Sequence, residues 1–171
     1  MGLVQVATHT VSSATASFNL TGIDSDDVYM LTYSNAGTSS DGRNVCVRVT
    51  KSGSADTTAN YDYSYKVLNA SSSLGQAGFT NENEWQYLFV DNVGTGTSEK
   101  ANGIAYLYNF NSASEFSYIT AEMVEVNLTP HTRGNMGGGV HTVASASDGL
   151  YFFDDVGGNI ASGTFTLYKV I

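Results

Sequence analysis

The C-terminal stretch Gly163-Thr164-Phe165-Thr166-Leu167-Tyr168-Lys169-Val170-Ile171 decides the fold class of this chain. Along it, side chains alternate so that Phe165, Leu167 and Ile171 fall on one side, with Lys169 among them near the end. A period of two residues is typical of a β-strand with one buried face. We therefore predict a closing strand with Phe165, Leu167 and Ile171 in the core.

Similar alternation recurs along the chain, between turns rich in Gly, Asn and Asp, and helical periodicity is nearly absent. Further strands are predicted at 14–20, 28–33, 45–49, 61–67, 85–90, 104–110, 116–126, 140–144 and 150–153. Together with the closing strand this makes about nine or ten strands, at the spacing expected of a sandwich. The prediction is an all-β protein: an antiparallel, jelly-roll-like β-sandwich in a single domain covering residues 1–171.

Two segments are assigned to loops. Residues 69–84 are polar and contain only two large apolar side chains, which predicts a mobile or partner-contacting loop. Residues 133–139 are rich in glycine and are predicted to form a turn between strands.

The charge of the chain indicates which partners to expect. The formal net charge is −9, and the seven Lys and Arg residues are scattered. Binding of phosphate groups needs clustered basic residues, so no nucleic-acid partner is expected. An acidic surface would suit the exterior of a particle filled with DNA, although solubility explains the same charge equally well.

The N-terminal residues lack the basic and long apolar segments of a signal peptide, and no stretch of the chain has the length of a membrane span. We therefore expect synthesis in the cytoplasm and no membrane partner.

The residue types that commonly carry out catalysis form no recognisable pattern in this sequence. His9, His131 and His141 lie far apart and form no metal-binding motif. Glu122 and Glu125 differ by an odd number along a predicted strand and so face opposite sides, unlike the carboxylate pair of a glycosidase. We expect no enzymatic activity, no catalytic residue and no cofactor.

Cys46 is the single cysteine, within the predicted strand 45–49, and is read as a small half-buried thiol without a reactive role.

Two acidic clusters leave open a question about calcium. Asp24, Asp26 and Asp27 form one cluster, and Asp154 and Asp155 form the other. Carboxylates in loops can bind Ca²⁺, but the EF-hand pattern is not met. Asp side chains also stabilise turns by accepting backbone N–H groups. No metal site is predicted, and calcium at Asp24, Asp26 and Asp27 stays an alternative.

Aromatic residues are abundant, with 11 Tyr, 8 Phe and 1 Trp. On strands, such rings usually fill a core or a subunit interface. The alternative is a platform on which sugar rings stack, for which Tyr61, Tyr63 and Tyr65 on one face of a strand are the candidates.

Several of these segments together resemble a family. Residues 8–23 resemble the start of a group of small structural proteins of tailed bacteriophages, in which a Ser/Thr/Ala-rich strand precedes an acidic turn and a strand rich in Tyr and Leu. The segments 45–49, 59–63 and 150–153 have counterparts in that group. The closing strand matches its Gly-[Ser/Thr]-hydrophobic-[Ser/Thr]-Leu-Tyr pattern, except that Lys169 stands where the group often has Gly.

This resemblance implies a jelly-roll-like virion protein, and three functions follow from it or compete with it. The first is a decoration (cement) protein on the outer surface of the head, assembled in the host cytoplasm, bound to the major capsid protein and forming a homo-oligomer, with a trimer favoured. The second is a tail, baseplate or fibre component with a receptor- or carbohydrate-binding face. The third is an independent carbohydrate-binding module. Residues 69–100 have no counterpart in the group and, with the N-terminal segment, are where these alternatives would differ.

Overall fold

The computed structural model describes residues 2–71 and 74–171. Within them, the regular structure is entirely antiparallel β, and the all-β prediction is confirmed. The strands are β1 Leu3–Val11, β2 Ser17–Thr21, β3 Tyr29–Thr38, β4 Arg43–Lys51, β5 Ser54–Ala55, β6 Tyr61–Asn69, β7 Gly75–Glu82, β8 Trp85–Val93, β9 Ala101–Tyr108, β10 Ser117–Val126, β11 Thr132–His141, β12 Gly149–Asp154 and β13 Ile160–Val170.

The strands form two sheets that pack on each other as a sandwich. The larger sheet has eight strands in the order β1-β13-β3-β9-β10-β11-β6-β7. The smaller sheet has the order β2-β12-β4-β5, with β8 also paired to β4. Strand β8 lies beneath β10 and β11 of the larger sheet, so it links the smaller sheet to the centre of the larger one.

The core lies between the two sheets and is rich in aromatic rings. Phe165 of β13 packs on Phe18 of β2 and Phe152 of β12, with ring centroids 4.9 and 5.2 Å apart. Leu167 is buried as well, so two of the three predicted core residues of the closing strand are confirmed. The third prediction is wrong: Ile171 is 66% exposed, because β13 ends at Val170 and Ile171 only exchanges backbone hydrogen bonds with Gly2.

The described residues contain thirteen strands, more than the nine or ten predicted. Two of the additional strands come from segments that the sequence did not assign to strands. The polar segment 69–84 contains β7, which pairs with β6, and the positions 72 and 73 within it lie outside the described residues. The N-terminal strand β1 pairs with β13 along its whole length.

The predicted turn at 133–139 is also wrong, because these residues lie within β11. The glycines there permit close packing of β8 against β11. A Cβ atom on Gly139 would stand 2.6 Å from Nε1 of Trp85, and one on Gly137 would stand 2.9 Å from Cδ2 of Leu88. Glycine marks a close approach of another strand here, not a change of direction.

No helix of the described residues is long and apolar enough to cross a membrane.

Candidate functional site

One side of the larger sheet has no layer packed on it by the described residues, and we call it the outer face. The burial pattern of β10 shows this side clearly. Tyr118, Thr120 and Glu122 are exposed on it, whereas the intervening Ile119 and Ala121 are buried against the smaller sheet. A sheet covered on one side only presents alternate side chains of every strand to solvent. The outer face is therefore a continuous surface open to a partner or ligand.

A row of small residues crosses the outer face at right angles to the strands. Gly78 of β7 pairs with Ser64 of β6, Ser64 pairs with Gly138 of β11, and Gly138 pairs with Thr120 of β10. The next residue in this row is Tyr106 of β9, opposite Thr120. The two glycines have no side chain, and the side chains of Ser64 and Thr120 are short. The row is therefore the floor of a channel that ends at the Tyr106 ring, and we call this channel the furrow.

Larger side chains form the two rims of the furrow. On one rim, Met136 is paired with both Lys66 and Glu122. The other rim consists of Asp62, Val140 and Tyr118, which line one depression together.

Three adjoining depressions follow the furrow, with volumes of about 440, 460 and 460 Å³. The first two share Lys66 and Met136 of one rim, and the second and third share Ser64 and Gly78 of the floor. Each is within the size range of small-ligand sites, and together they make a site that is longer than it is deep.

The polar groups of the rims are largely free to bind. Lys66 and Glu122 form no ion pair with any described residue. Asp62 accepts a hydrogen bond from the backbone N–H of Asn81 at 2.8 Å through one of its carboxylate oxygens. The Tyr118 ring is 46% exposed. The furrow thus offers a cation, two carboxylates and two tyrosine rings along one channel.

The tyrosines that were candidates for the alternative sugar platform lie on the opposite side of the sheet. Tyr61, Tyr63 and Tyr65 do share one face of β6, but that face is the core face, and Tyr61 and Tyr63 are buried. The Tyr61 hydroxyl donates to the carbonyl of Asp56 at 2.7 Å and accepts from the N–H of Val49 at 3.2 Å. The interpretation that aromatic rings on strands fill the core therefore holds for Tyr61 and Tyr63, and the alternative of an exposed sugar platform on this face of β6 does not.

The tyrosines of the outer face come from β9 and β10 instead: Tyr118 is exposed, and Tyr106 and Tyr108 are half-buried. Sequence reasoning missed them because β9 is apolar on both faces: Ala105 and Leu107 alternate with Tyr106 and Tyr108, and the pattern does not say which set is buried. In β10 the signal was present, since Tyr118, Thr120 and Glu122 alternate with smaller or apolar residues.

The acidic clusters are engaged in local hydrogen bonds. Asp24 accepts from the hydroxyl of Tyr29 at 2.9 Å, and Asp27 forms an ion pair with Lys169 at 2.6 Å. Asp154 accepts from the N–H groups of its own turn, and Asp155 accepts from Asn44 at 2.8 Å. In the part of the chain that the structure describes, no three His, Cys, Asp or Glu residues are placed to hold a metal ion.

A second polar cluster lies between the sheets and was not predicted. Glu125 of β10 is 2% exposed and Asp91 of β8 is 3% exposed. Asp91 forms an ion pair with Arg133 and accepts from Nδ2 of Asn135 at 2.7 Å. Burial raises the pKa of Glu125 to about 8 and also raises the pKa of Asp91. As the sequence predicted, Glu122 and Glu125 face opposite sides, Glu122 in the furrow and Glu125 in the core.

The three histidines are far apart in the fold. His141 is buried against Tyr61, with Nε2 at 3.4 Å from Asp56, and burial lowers the pKa of its imidazole. His9 stacks on Phe18 with ring centroids 4.2 Å apart, and His131 is exposed in a turn.

Cys46 is fully buried, more so than expected, because residues of β4 are covered on both sides. Burial raises the pKa of its thiol well above the ordinary value.

The chain matches no protein-family model, no curated protein and no solved structure.

Proposed function

We propose that this chain is a structural protein of a tailed-bacteriophage particle, with a jelly-roll-like sandwich, and that its site is the outer surface of the head. There it acts as a decoration protein bound to the major capsid protein. The proposal takes its family from the resemblance of the two chain ends, residues 8–23 and 163–171. In the fold these ends are neighbours, because β1 pairs with β13 from Leu3 opposite Val170 to Val11 opposite Gly163.

The observation that carries the proposal is the exposed end of β1. Leu3 is 49% exposed, Val4 is 48% exposed, and the exposed Ile171 lies beside them through its backbone bonds with Gly2. We call Leu3, Val4 and Ile171 the β1 corner. Single exposed apolar residues are normal, but a group at the end of an edge strand suits a contact with another protein.

The edge of β1 adds a second means of attachment. β1 is the outermost strand of the larger sheet, so among the residues that the structure describes no strand pairs with one side of its backbone. Such an edge can pair with a strand of another chain. Contact between unlike edges of neighbouring copies would be heterologous and could close into a ring, which is compatible with the proposed trimer.

The mechanism of a decoration protein is mass action. A protein that binds the expanded shell and not the unexpanded one stabilises the expanded state. Each copy needs only a modest interface, because many copies act on one shell.

The test uses expanded, DNA-filled heads of the tailed phage whose genome encodes the chain. We expect the wild-type protein to sediment with the heads and to raise their disruption temperature. Leu3→Asp and Val4→Asp should abolish sedimentation while leaving the fold intact, because both residues are exposed. Leu74→Asp is the control, since Leu74 is exposed beside β7, at the opposite edge of the larger sheet. Failure of the wild-type protein to bind heads would refute the proposal.

A second candidate is a tail, baseplate or fibre component with a carbohydrate-binding face. The exposed Tyr118 and the half-buried Tyr106 of the outer face favour it. Labelling of intact particles with an antibody against the chain distinguishes the two, because the label would fall on the tail and not on the head.

A further inference from the structure

We infer that the furrow on the outer face is a binding site for an extended, uncharged oligosaccharide. The inference goes beyond the attachment of the chain to a particle, because the furrow and the β1 corner involve different residues. It also moves the sugar site away from Tyr61, Tyr63 and Tyr65, which face the core.

The shape of the furrow favours a linear ligand. Its floor crosses β7, β6, β11 and β10, which at about 4.8 Å per strand spacing gives a length of about 14 Å, and Tyr106 adds one further strand. A site of this length contacts several units of a chain, whereas a single sugar ring would occupy only one of the three depressions.

The lining combines the two kinds of group that sugar recognition needs. The hydroxyl groups of a sugar both donate and accept hydrogen bonds. Lys66 can donate to them, Asp62 and Glu122 can accept from them, and the Ser64 and Thr120 hydroxyls of the floor can do either. The rings of Tyr118 and Tyr106 are flat apolar surfaces with polar tips, suited to the C–H faces of sugar rings. This mixture of ring faces and a few polar groups is typical of small-ligand sites.

The charge of the furrow argues against nucleic acids and other polyanions as its ligand. The furrow carries one cation and two carboxylates, and the whole chain has a net charge of −9. Nucleic acids and other polyanions need an excess of positive charge at their site. An uncharged chain of hydroxyl groups is complementary to this lining, because it satisfies donors and acceptors alike.

The backbone arrangement argues against a peptide added as a further strand. Peptides bound in this way pair with the free edge of a sheet. In the furrow, β6, β11 and β10 each have a neighbouring strand on both sides, so their backbone groups are already paired. A ligand in the furrow must therefore be recognised by side chains.

Gly78 supplies an independent sign that the furrow is kept open. A Cβ atom at this position would meet only ordinary contacts, 3.7 Å from Cβ of Ser64 and 3.8 Å from the carbonyl of Tyr63. Gly78 is exposed, and its φ is not positive. Neither packing nor backbone geometry requires glycine here, and glycine in a strand weakens it. Its effect is to leave the floor of the furrow low.

The experiment measures binding of the full chain to immobilised neutral oligosaccharides: gluco-, galacto-, manno- and N-acetylhexosamine oligomers. Heparin fragments and single-stranded DNA serve as anionic probes. We expect binding of at least one neutral oligomer and of neither anionic probe. Tyr118→Ala and Glu122→Gln should each weaken it by about tenfold.

Two matched glycine variants test the site without touching the core. Gly78→Val should fill the floor and reduce binding by about tenfold or more. Gly75→Val, in the same strand but outside the three depressions, should bind like the wild type. Melting temperatures of all variants establish that the fold is retained.

The inference is overturned if no neutral oligomer binds, if an anionic probe binds better, or if the furrow variants bind as the wild type does. Its failure is separate from that of the attachment proposal. Furrow variants should still sediment with heads, and the Leu3→Asp variant should still bind oligosaccharide.

Discussion

The carboxyl group of Glu125 accepts a hydrogen bond from the backbone N–H of Asp91 at 3.1 Å, and this bond joins the two sheets of the sandwich. Glu125 belongs to β10 of the larger sheet and Asp91 to β8 of the smaller one. Asp91 in turn binds Arg133 and Asn135 of β11. A buried polar group is costly unless it is paired, so this cluster makes the packing of β8 sensitive to charge.

The first prediction concerns pH. Burial raises the pKa of Glu125 in the folded protein from the ordinary 4.5 to about 8. Between these values the unfolded chain is ionised while the folded chain keeps its proton, so the free energy of unfolding falls as pH rises and levels off above about pH 8. The slope is at most about 1.4 kcal/mol per pH unit. The raised pKa of Asp91 acts in the same direction.

Glu125→Gln cannot ionise, so we expect most of this loss of stability between pH 5 and pH 9 to disappear. Urea denaturation at several pH values measures it. Glu122→Gln, on the exposed face of the same strand, is the control and should keep the wild-type pH dependence. An unchanged slope in Glu125→Gln would show that Glu125 does not cause it.

The second prediction concerns the ion pair of Asp91 and Arg133. Arg133→Met leaves the buried Asp91 without its cation and should lower the free energy of unfolding by about 3–5 kcal/mol. Asp91→Asn combined with Arg133→Met removes both charges and should recover part of that loss. A double-mutant cycle by chemical denaturation checks both values. Lys66→Met, which removes an exposed cation, should change stability little.

The third prediction contrasts two glycines. Gly139→Ala would place a Cβ atom 2.6 Å from Nε1 of Trp85, and we expect a loss of about 1–3 kcal/mol from overpacking. Gly78→Ala meets contacts no closer than 3.7 Å and should be neutral or stabilising by about 0.4–1 kcal/mol. Thermal melts of the two variants give the comparison. Equal losses would contradict the close approach of β8 to β11.

The fourth prediction tests the core of the closing strand. Phe165→Ala removes a ring packed on Phe18 and Phe152 and should cost about 3–5 kcal/mol. Ile171→Ala should change stability by less than about 0.5 kcal/mol, because Ile171 is exposed. If Ile171→Ala were as harmful as Phe165→Ala, the end of β13 would have to be packed differently.

A glycine-rich segment is compatible with two structures, a turn and a strand that another strand approaches closely. Residues 133–139 were predicted to turn, because glycine is common in turns, yet they form the middle of β11. The same residue type is also required where two strands approach closely, and only the position of Trp85 and Leu88 beneath β11 decides between the two structures. The polar segment containing β7 is similar: it forms a strand because β6 provides a partner, not because its own residues favour one.

The two-residue period of the closing strand was enough to predict that Phe165 and Leu167 share one face. The odd spacing of Glu122 and Glu125 was enough to predict that they lie on opposite faces. Both predictions succeed because the side-chain period of a strand is a local property of the backbone. Which face of β6 or β9 is buried depends on the sheet that packs against it. Packing of the sheets therefore decided that Tyr61 and Tyr63 lie in the core and that Tyr106 lies in the furrow, whereas the alternation along β10 already contained the signal for Tyr118. The tertiary structure also aligned Gly78, Ser64, Gly138 and Thr120 in one row, since register is set by pairing between distant strands.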